Sequence, residues 1–357
     1  MKNKERFIRT ALHKEPGRGL LWPHSAWPET RERWLSEGMP ADYEWGYDFP
    51  PGEGTLSIDI GYRPPWDTGV IEQDDTYLVA RDEYGIIRKY PKSGREGIAQ
   101  FIAFPAAGRK DWKKLESRLA PGAQGRFPDN WPEQAARLSL ADVVVTFGNS
   151  HLCGFYSFIR EVMGDEEALY LLYDDPGLVR EMLEFQVCRL STLLQRASRD
   201  ITVDRLFIWE DMCYKNGPLI SPKMFREFLM TPYQRLIECA RDCGVRVVDL
   251  DSDGDVEKLI PLWIEAGVDM LHPMEVQSGM DVCRLQNLFG QRIAMRGGID
   301  KRELAKDRAA IRREVQRVRP AFEAGGYIPA ADHSIPPDVS FDNFKFYLDC
   351  LADLVGR

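Results

Sequence analysis

The chain has 357 residues, 44% hydrophobic and 29% charged, and its 47 Lys and Arg against 56 Asp and Glu leave a formal net charge of -9. That length supports a large core, built as one big α/β barrel or as two ordinary domains. The acidic balance, with no basic tract, argues against a nucleic-acid partner, and no apolar run is long enough to cross a bilayer.

Residues 1–19 read as a polar-faced helix with Phe7, Ile8 and Leu12 inward, rather than a signal peptide with an apolar centre. Residues 19–25 form an expected first strand ending in His24 and Ser25, and a helix starts over 31–37. Residues 56–60 are an expected second strand carrying Asp59 to its end. The alternating stretch 77–90 turns at Asp82 to Gly85 and predicts a β-hairpin, a decoration on the scaffold. Residues 106–130, rich in Pro, Gly and charge, predict loop with one short helix over 110–119. The seven scattered cysteines read as buried thiols of a reducing compartment, so a cytoplasmic protein is expected.

From Asp142 the rhythm is regular, with strands expected at 143–148, 205–209, 245–250, 268–271, 292–296 and 327–330 and helices between them. Asp175 before Pro176, Ser221 before Pro222, and Asp281 supply capping side chains. Strand, helix, strand at this spacing means parallel strands joined by right-handed crossovers. Counting the two earlier strands gives about eight, the number that closes a TIM barrel. The expected architecture is therefore α/β, a single TIM (β/α)8 barrel domain over 1–357. Residues 1–140 are divergent and carry the hairpin, and residues 141–357 are regular. A doubly wound open sheet is the alternative, weakened by the lack of a Gly-rich dinucleotide turn.

The stretch VRVVDLDSDGD, residues 245–255, runs a β-branched strand into Asp249, Asp251, Asp253 and Asp255. Alternation puts these aspartates on one side while the strand persists, with Ser252 on the other. Carboxylates packed so closely require a cation, a metal or a proton to offset them, unless the stretch is only a solvated turn. In a barrel, chemistry sits in the loops at the C-terminal ends of the strands. The wall components there are His24 and Ser25, Asp59, Asn149 to His151, Glu210 and Asp211, the aspartates to Asp253, His272 and Glu275, Arg296 and Asp300, and Asp332 with His333. Each has a scaffold role open to it: Asp211 as a helix cap, Glu275 as a partner of Arg296. Their convergence points to an enzyme.

Gly297-Gly298-Ile299-Asp300, Gly325-Gly326-Tyr327 and the run from Asp332-His333-Ser334 to Val339 resemble the C-terminal signature of the uroporphyrinogen decarboxylase family. The 216–222 stretch, the Ser252-Asp253-Gly254 turn and the 164–176 stretch are similar to the same family. The resemblance covers residues 140–350. It implies a TIM barrel and one of two activities: decarboxylation of the acetate arms of uroporphyrinogen, with no cofactor, or zinc-dependent methyl transfer to or from a corrinoid.

The departures are specific. The decarboxylases carry an Arg-rich loop after the first strand, whereas here the chain reads Trp22 to Pro28 with no arginine before Arg31. The zinc methyltransferases carry a His-x-Cys pair after the fifth strand and a later Cys, whereas here Asp251-x-Asp253 and Asp332-His333 stand in those places. What remains is an oxygen and nitrogen donor set suited to catalytic zinc or a harder ion. The candidate catalytic residues are His333, Asp253, Asp211 and Asp59. The candidate substrate-binding residues are His24, Trp27, Tyr156, Trp209, Glu210 and Arg296, and the candidate metal ligands are Asp251, Asp253, Glu275 and His333. An aromatic mouth of Trp22, Trp27, Trp66, Trp209 and Tyr156 would suit a flat substrate. The leading expectation is a methyltransferase that moves a methyl group from a small methoxy or methylamine-type compound to the corrinoid of a separate protein. A decarboxylase of uroporphyrinogen or a smaller acid is the alternative, and a non-enzymatic binding barrel is the third class. A homodimer is left open.

Overall fold

The computed structural model describes residues 1–14, 19–50, 52–92, 99–148 and 150–357. After helices α1 (Asn3–Ala11) and α2 (Pro28–Ser36) comes an antiparallel meander. Its strands are β1 (Gly69–Gln73), β2 (Tyr77–Arg81), β3 (Ile87–Pro91) and β4 (Gln100–Ala103), paired in that order. The expected hairpin is its middle pair, turned by Asp82, whose Oδ1 accepts from the N–H groups of Tyr84 and Ile86. The outer strands escape sequence reading because β1 is exposed throughout and so carries no inside–outside alternation.

Helices α3 (Arg109–Leu119) and α4 (Trp131–Leu140) lead to β5 (Thr146–Phe147). There follow α5 (Tyr156–Met163), α6 (Asp165–Asp174), α7 (Pro176–Ala197) and β6 (Arg205–Trp209), then a short hairpin of β7 (Cys213–Tyr214) and β8 (Gly217–Pro218). The last strands are β9 (Val247–Asp251), β10 (Met270–Met274), β11 (Ala294–Ile299) and β12 (Tyr327–Ala331). Six strands form one parallel sheet in the order β12-β11-β10-β9-β6-β5. The crossover helices start as expected. Asp175 accepts from Leu178 N, Ser221 from Met224 N and Asp281 from Arg284 N.

Two extended segments continue the sheet past its edges. Beside β5, Thr55 bridges to Thr146, with Leu56 N donating to Thr146 O and Thr146 N to Gly54 O. Beyond β12, Ala26 bridges to Ile335. The two segments meet at Asp48, whose N–H donates to Leu21 O and whose carboxylate accepts from Leu21 N at 2.7 Å. These links extend the six-stranded sheet toward a (β/α) barrel. The expected strands at 19–25 and 56–60 run extended here without regular ladders. Pro23 has no N–H to give a ladder, and the second pairing falls at Thr55, ahead of the expected strand. Gly54 is required at that edge. Its φ is +87, and a Cβ there would lie 2.4 Å from Val144 O.

Alternation divides the strands into two layers. One face, with Ile208, Val248, Leu250 and Met295, packs under the helices. The other converges on the axis, where Leu20, Val144, Val247, Met270, Ala294 and Ile328 form a closed apolar layer. Phe7, Ile8 and Ala11 of α1 plug it from below. Phe7 and Ile8 are both fully buried, which stabilises the plug by roughly 1.5–3 kcal/mol each. No described helix is long and apolar enough to cross a membrane.

Candidate active site

Above the apolar layer the inward positions turn polar. β6 reads RLFIW and sends Arg205, Phe207 and Trp209 inward. β9 sends Asp249 and Asp251, β10 His272 and β11 Arg296. All of these but the fully buried Asp249 line, with Trp22, His24, Phe49 and Thr146, a cavity of about 470 Å³ that reaches Asp211, Asp253 and His333 past the ends of the strands.

The floor is a buried chain of ion pairs. Asp249, with no exposure, pairs with Arg205, and its Oδ1 lies 2.9 Å from His272 Nδ1. His272 Nε2 lies 3.1 Å from Asp251 Oδ2. Burial opposes ionisation of Asp249, but Arg205 and His272 outweigh it and hold the carboxyl well below the usual range. His272 is also desolvated, which disfavours its charge, yet Asp249 and Asp251 raise it above an ordinary histidine. Arg296 joins no such pair. Its guanidinium lies 4.4 Å from the Trp22 ring centroid. Burial lowers it to about 10, against the pull of Asp249 and Asp251, so it stays charged at neutral pH.

At the rim, carboxylate oxygens of Asp211, Asp251 and Asp253 come within 4.8 Å of one another. Burial, and then the charges of Asp251 and Asp253, push Asp211 up to about 7. Asp211 sits at φ +44, a left-handed conformation uncommon for a residue other than glycine. Its carbonyl accepts from Arg160 at 2.7 Å and its Oδ2 from Trp209 Nε1 at 3.1 Å. Trp209 is stacked on His151, with ring centroids 3.7 Å apart. Burial and Arg160 lower His151 to about 4, so that ring is neutral. His333 Nε2 stands 3.6 Å from Asp253 Oδ2. Burial works against its charge, but Asp253 outweighs burial and raises it. His24 stacks parallel to His333 at 6.4 Å and is held neutral by burial, then by Arg296 and its histidine neighbours.

The turn that delivers Asp253 depends on Gly254, at φ +86, where a Cβ would lie 2.7 Å from Cys213 O. Its N–H donates to Glu275 Oε2 at 3.0 Å. Glu275 is thereby held by Gly254 and, at 3.6 Å, by Lys301, rather than by Arg296 or the rim carboxylates. Of the expected ligands, Asp251 and Asp253 come together and His333 touches the group, while Asp211 takes the remaining place.

Other expected residues lie elsewhere. Asp59 pairs with Arg63 and accepts from Gly61 N in a separate depression shared with Tyr84 and Ser150. Glu210 is fully buried under α5, accepting from Phe155 N, Ser157 N and Tyr233 OH. Trp27 occupies the N-cap position of α2, and Tyr156 is buried at the start of α5. Trp66 covers Gly85, close to Arg118. Only Trp22 and Trp209 of the expected aromatic mouth line the cavity. Asp300 caps the following turn at Arg302 N, and Asp332 accepts from Val276 N and Lys301 N. Asn149 lies outside the described residues. Arg205 was not singled out by sequence, although an arginine opening a buried apolar strand, two residues before Phe207, is itself a signal of an inward polar layer.

The donor set can be tested against a metal. Three converging carboxylates, one with its proton affinity raised by the others, fit a divalent cation with a preference for oxygen. Zinc accepts carboxylate and imidazole ligands as well, whereas a thiolate site does not fit. Among the described residues, no cysteine lines the cavity.

Comparison with known proteins places this geometry in context. The family model uroporphyrinogen decarboxylase (URO-D) matches residues 158–354, more than half of the chain. A curated uroporphyrinogen decarboxylase from Syntrophotalea carbinolica is 23% identical over 190 residues, 52% of this chain. The match spans about half the length of that relative, 51%. Among solved structures, a methyltransferase from Methanosarcina mazei superposes with a TM-score of 0.59 over 99% of both chains at 13% identity, a likeness of fold.

Proposed function

The chain belongs to the uroporphyrinogen decarboxylase family, and on that premise we propose that it is a methyltransferase that takes a methyl group from a small methylated compound. The donor is of methoxy or methylamine type, and the acceptor is a corrinoid carried by a separate protein. The observation that carries this reading is the rim group of Asp211, Asp251 and Asp253 beside His333, at the end of the barrel where such folds do chemistry. These carboxylates would hold a divalent cation, zinc or a harder ion. A bound cation there supplies Lewis acidity that eases departure of an alkoxide, phenoxide or amine.

The chain's own groups do the rest. His333, whose proton affinity Asp253 raises against the effect of burial, would protonate the leaving heteroatom. Trp209 and Phe207 wall the cavity with apolar surface, and the pairing of Asp249 with Arg205 and His272 anchors its floor. As the carbon–heteroatom bond breaks, its electron pair stays on the heteroatom, which takes the proton from His333, and the methyl group passes to the acceptor.

Decarboxylation of a smaller acid is the second reading, favoured by Arg205 and Arg296 lining the same cavity. A tetrapyrrole with many carboxylates would need more cationic partners than these two, one of which is already committed to Asp249.

The test is a panel of methoxy and methylamine compounds incubated with free cob(I)alamin and followed by visible absorption, with carbon dioxide release measured in parallel. His333→Ala should remove methyl transfer while the circular dichroism spectrum stays unchanged. Asp253→Asn should weaken binding of a divalent cation by at least tenfold in calorimetry. Full activity of both variants on a substrate turned over by the parent protein would move the chemistry elsewhere.

A further inference from the structure

Three buried nitrogens on the cavity wall have no hydrogen-bond partner: Nε of Arg296, Nε of Arg205 and Nε2 of His24. They are not alike in what else they do. Arg205 spends its terminal nitrogen on Asp249. Arg296 is only 8% exposed, and no hydrogen bond or ion pair of the described residues engages it. Its guanidinium lies over the face of Trp22, which Arg205 also approaches at 5.4 Å.

A buried guanidinium with no carboxylate of its own to pair with is costly to bury. Asp249 is already shared between Arg205 and His272, and Asp251 faces the rim group. The floor therefore holds one arginine more than its committed carboxylate can match. The guanidinium rests 4.4 Å from the Trp22 ring centroid, and its planar fork matches a carboxylate better than a spherical or tetrahedral anion.

We propose that Arg296, with His24 beside it, is the seat of a carboxylate on the substrate, so that the compound demethylated here is a small methylated monocarboxylate. This inference rests on reading the cavity as the substrate site of a methyltransferase. The carboxylate lies on the inner side at Arg296, with His24 between it and His333. The methylated end points outward to Asp211, Asp251, Asp253 and His333. The binding energy of the acid group is thus spent on holding the methyl group at the rim. A small acid fits a cavity of about 470 Å³.

The test compares two probe pairs by isothermal titration on the intact protein: methoxyacetate against methoxyacetamide, and N,N-dimethylglycine against its amide. Each carboxylate should bind at least tenfold tighter than its amide. Arg296→Met keeps the aliphatic stem and should erase that ratio while leaving amide binding unchanged. Arg296→Lys keeps the charge but not the fork and should restore only part of it. Trp22 fluorescence, identified by its loss in Trp22→Phe, should change with the carboxylates and not with the amides.

Equal binding of acid and amide, an unaltered ratio in Arg296→Met that folds normally, or no binding of any carboxylate would overturn the proposal. Inorganic sulfate binding as strongly as the carboxylates would do the same. If the carboxylates bind as stated but no probe passes a methyl group to cob(I)alamin, the methyltransferase reading fails and the carboxylate seat stands. Methyl transfer from uncharged donors alone would do the opposite, sinking the carboxylate seat and keeping the methyltransferase reading.

Discussion

Replacing Asp211 by Asn should make the metal-free protein more stable at pH 8, although it removes a charged residue from the candidate active site. Burial and the charges of Asp251 and Asp253 raise this carboxyl from 3.8 to about 7. At about 1.4 kcal/mol per unit, the folded state disfavours its ionised form by roughly 4 kcal/mol. The side chain keeps 25% exposure, so solvent and relaxation reduce the effect to about 2–3 kcal/mol. Asparagine is nearly isosteric, can still accept from Trp209 Nε1, and tolerates the left-handed backbone at φ +44 as well as aspartate does.

The sign follows from proton counting. Between pH 3.8 and about 7 the folded protein holds a proton on Asp211 that the unfolded chain has released. Its contribution to stability therefore falls as pH rises through that window and is constant above it. Urea unfolding in the presence of a chelator should show Asp211→Asn more stable than the parent by about 2–3 kcal/mol at pH 8, with the difference nearly gone at pH 4. A divalent cation should raise the parent protein more than the variant and close the gap. A variant destabilised at pH 8, or shifted equally at both pH values, would refute the crowded-carboxylate account of the rim.

Three further outcomes follow from the scaffold. Glu210→Ala strands two N–H groups at the start of α5 and the Tyr233 hydroxyl, and should cost about 3–5 kcal/mol in chemical unfolding. Glu210→Gln should cost about half as much, and no loss in either variant would contradict the burial described. Arg205→Met leaves Asp249 short of its main counter-ion and should cost about 3–5 kcal/mol, much of it recovered on adding Asp249→Asn. A double variant no better than the single one would argue against the pair. Gly54→Ala meets both a positive φ and the Val144 carbonyl, and should lower stability by at least about 2 kcal/mol, with faster hydrogen exchange at Thr146 N as the local sign.

How much was legible in the chain depends on how many sides of each element are buried. β6 runs over the expected residues and β12 extends one residue beyond them, because both are apolar runs packed between the axis and the helices. Of the expected strand at 143–148 only Thr146 and Phe147 form a ladder. Val143 to Val145 are buried as expected, but Val145 N is taken by the Asp204 carboxylate instead of a neighbouring strand. Burial was visible there and hydrogen bonding was not. The meander shows the converse: a strand exposed on both faces, like β1, has pairing without pattern.

The rim shows what one more piece of knowledge would have added. Alternation along β9 turns Asp249 and Asp251 to one side; beyond the strand the Gly254 turn brings Asp253 beside Asp251, and Asp255 departs to accept from Glu257 N. What alternation cannot supply is which neighbouring residue stands beside them. That is a matter of register, and a shift of one residue would reverse every choice. In the sheet Trp209 pairs with Asp251, and just past the end of β6 the backbone turns at Asp211, φ +44, which brings its carboxylate beside Asp251 and Asp253. On the other side His272 pairs with Asp251, and the ladder between β10 and β11 becomes irregular between Leu271 and Met274. Glu275 leaves the strand past that irregularity and is taken up by Gly254 N and Lys301. The charge of the rim was thus written in the aspartate run. Asp211 as its third member, in the place expected for Glu275, depends on the pairing of β6 with β9 together with the left-handed turn at Asp211, long-range and conformational properties that only the folded sheet expresses.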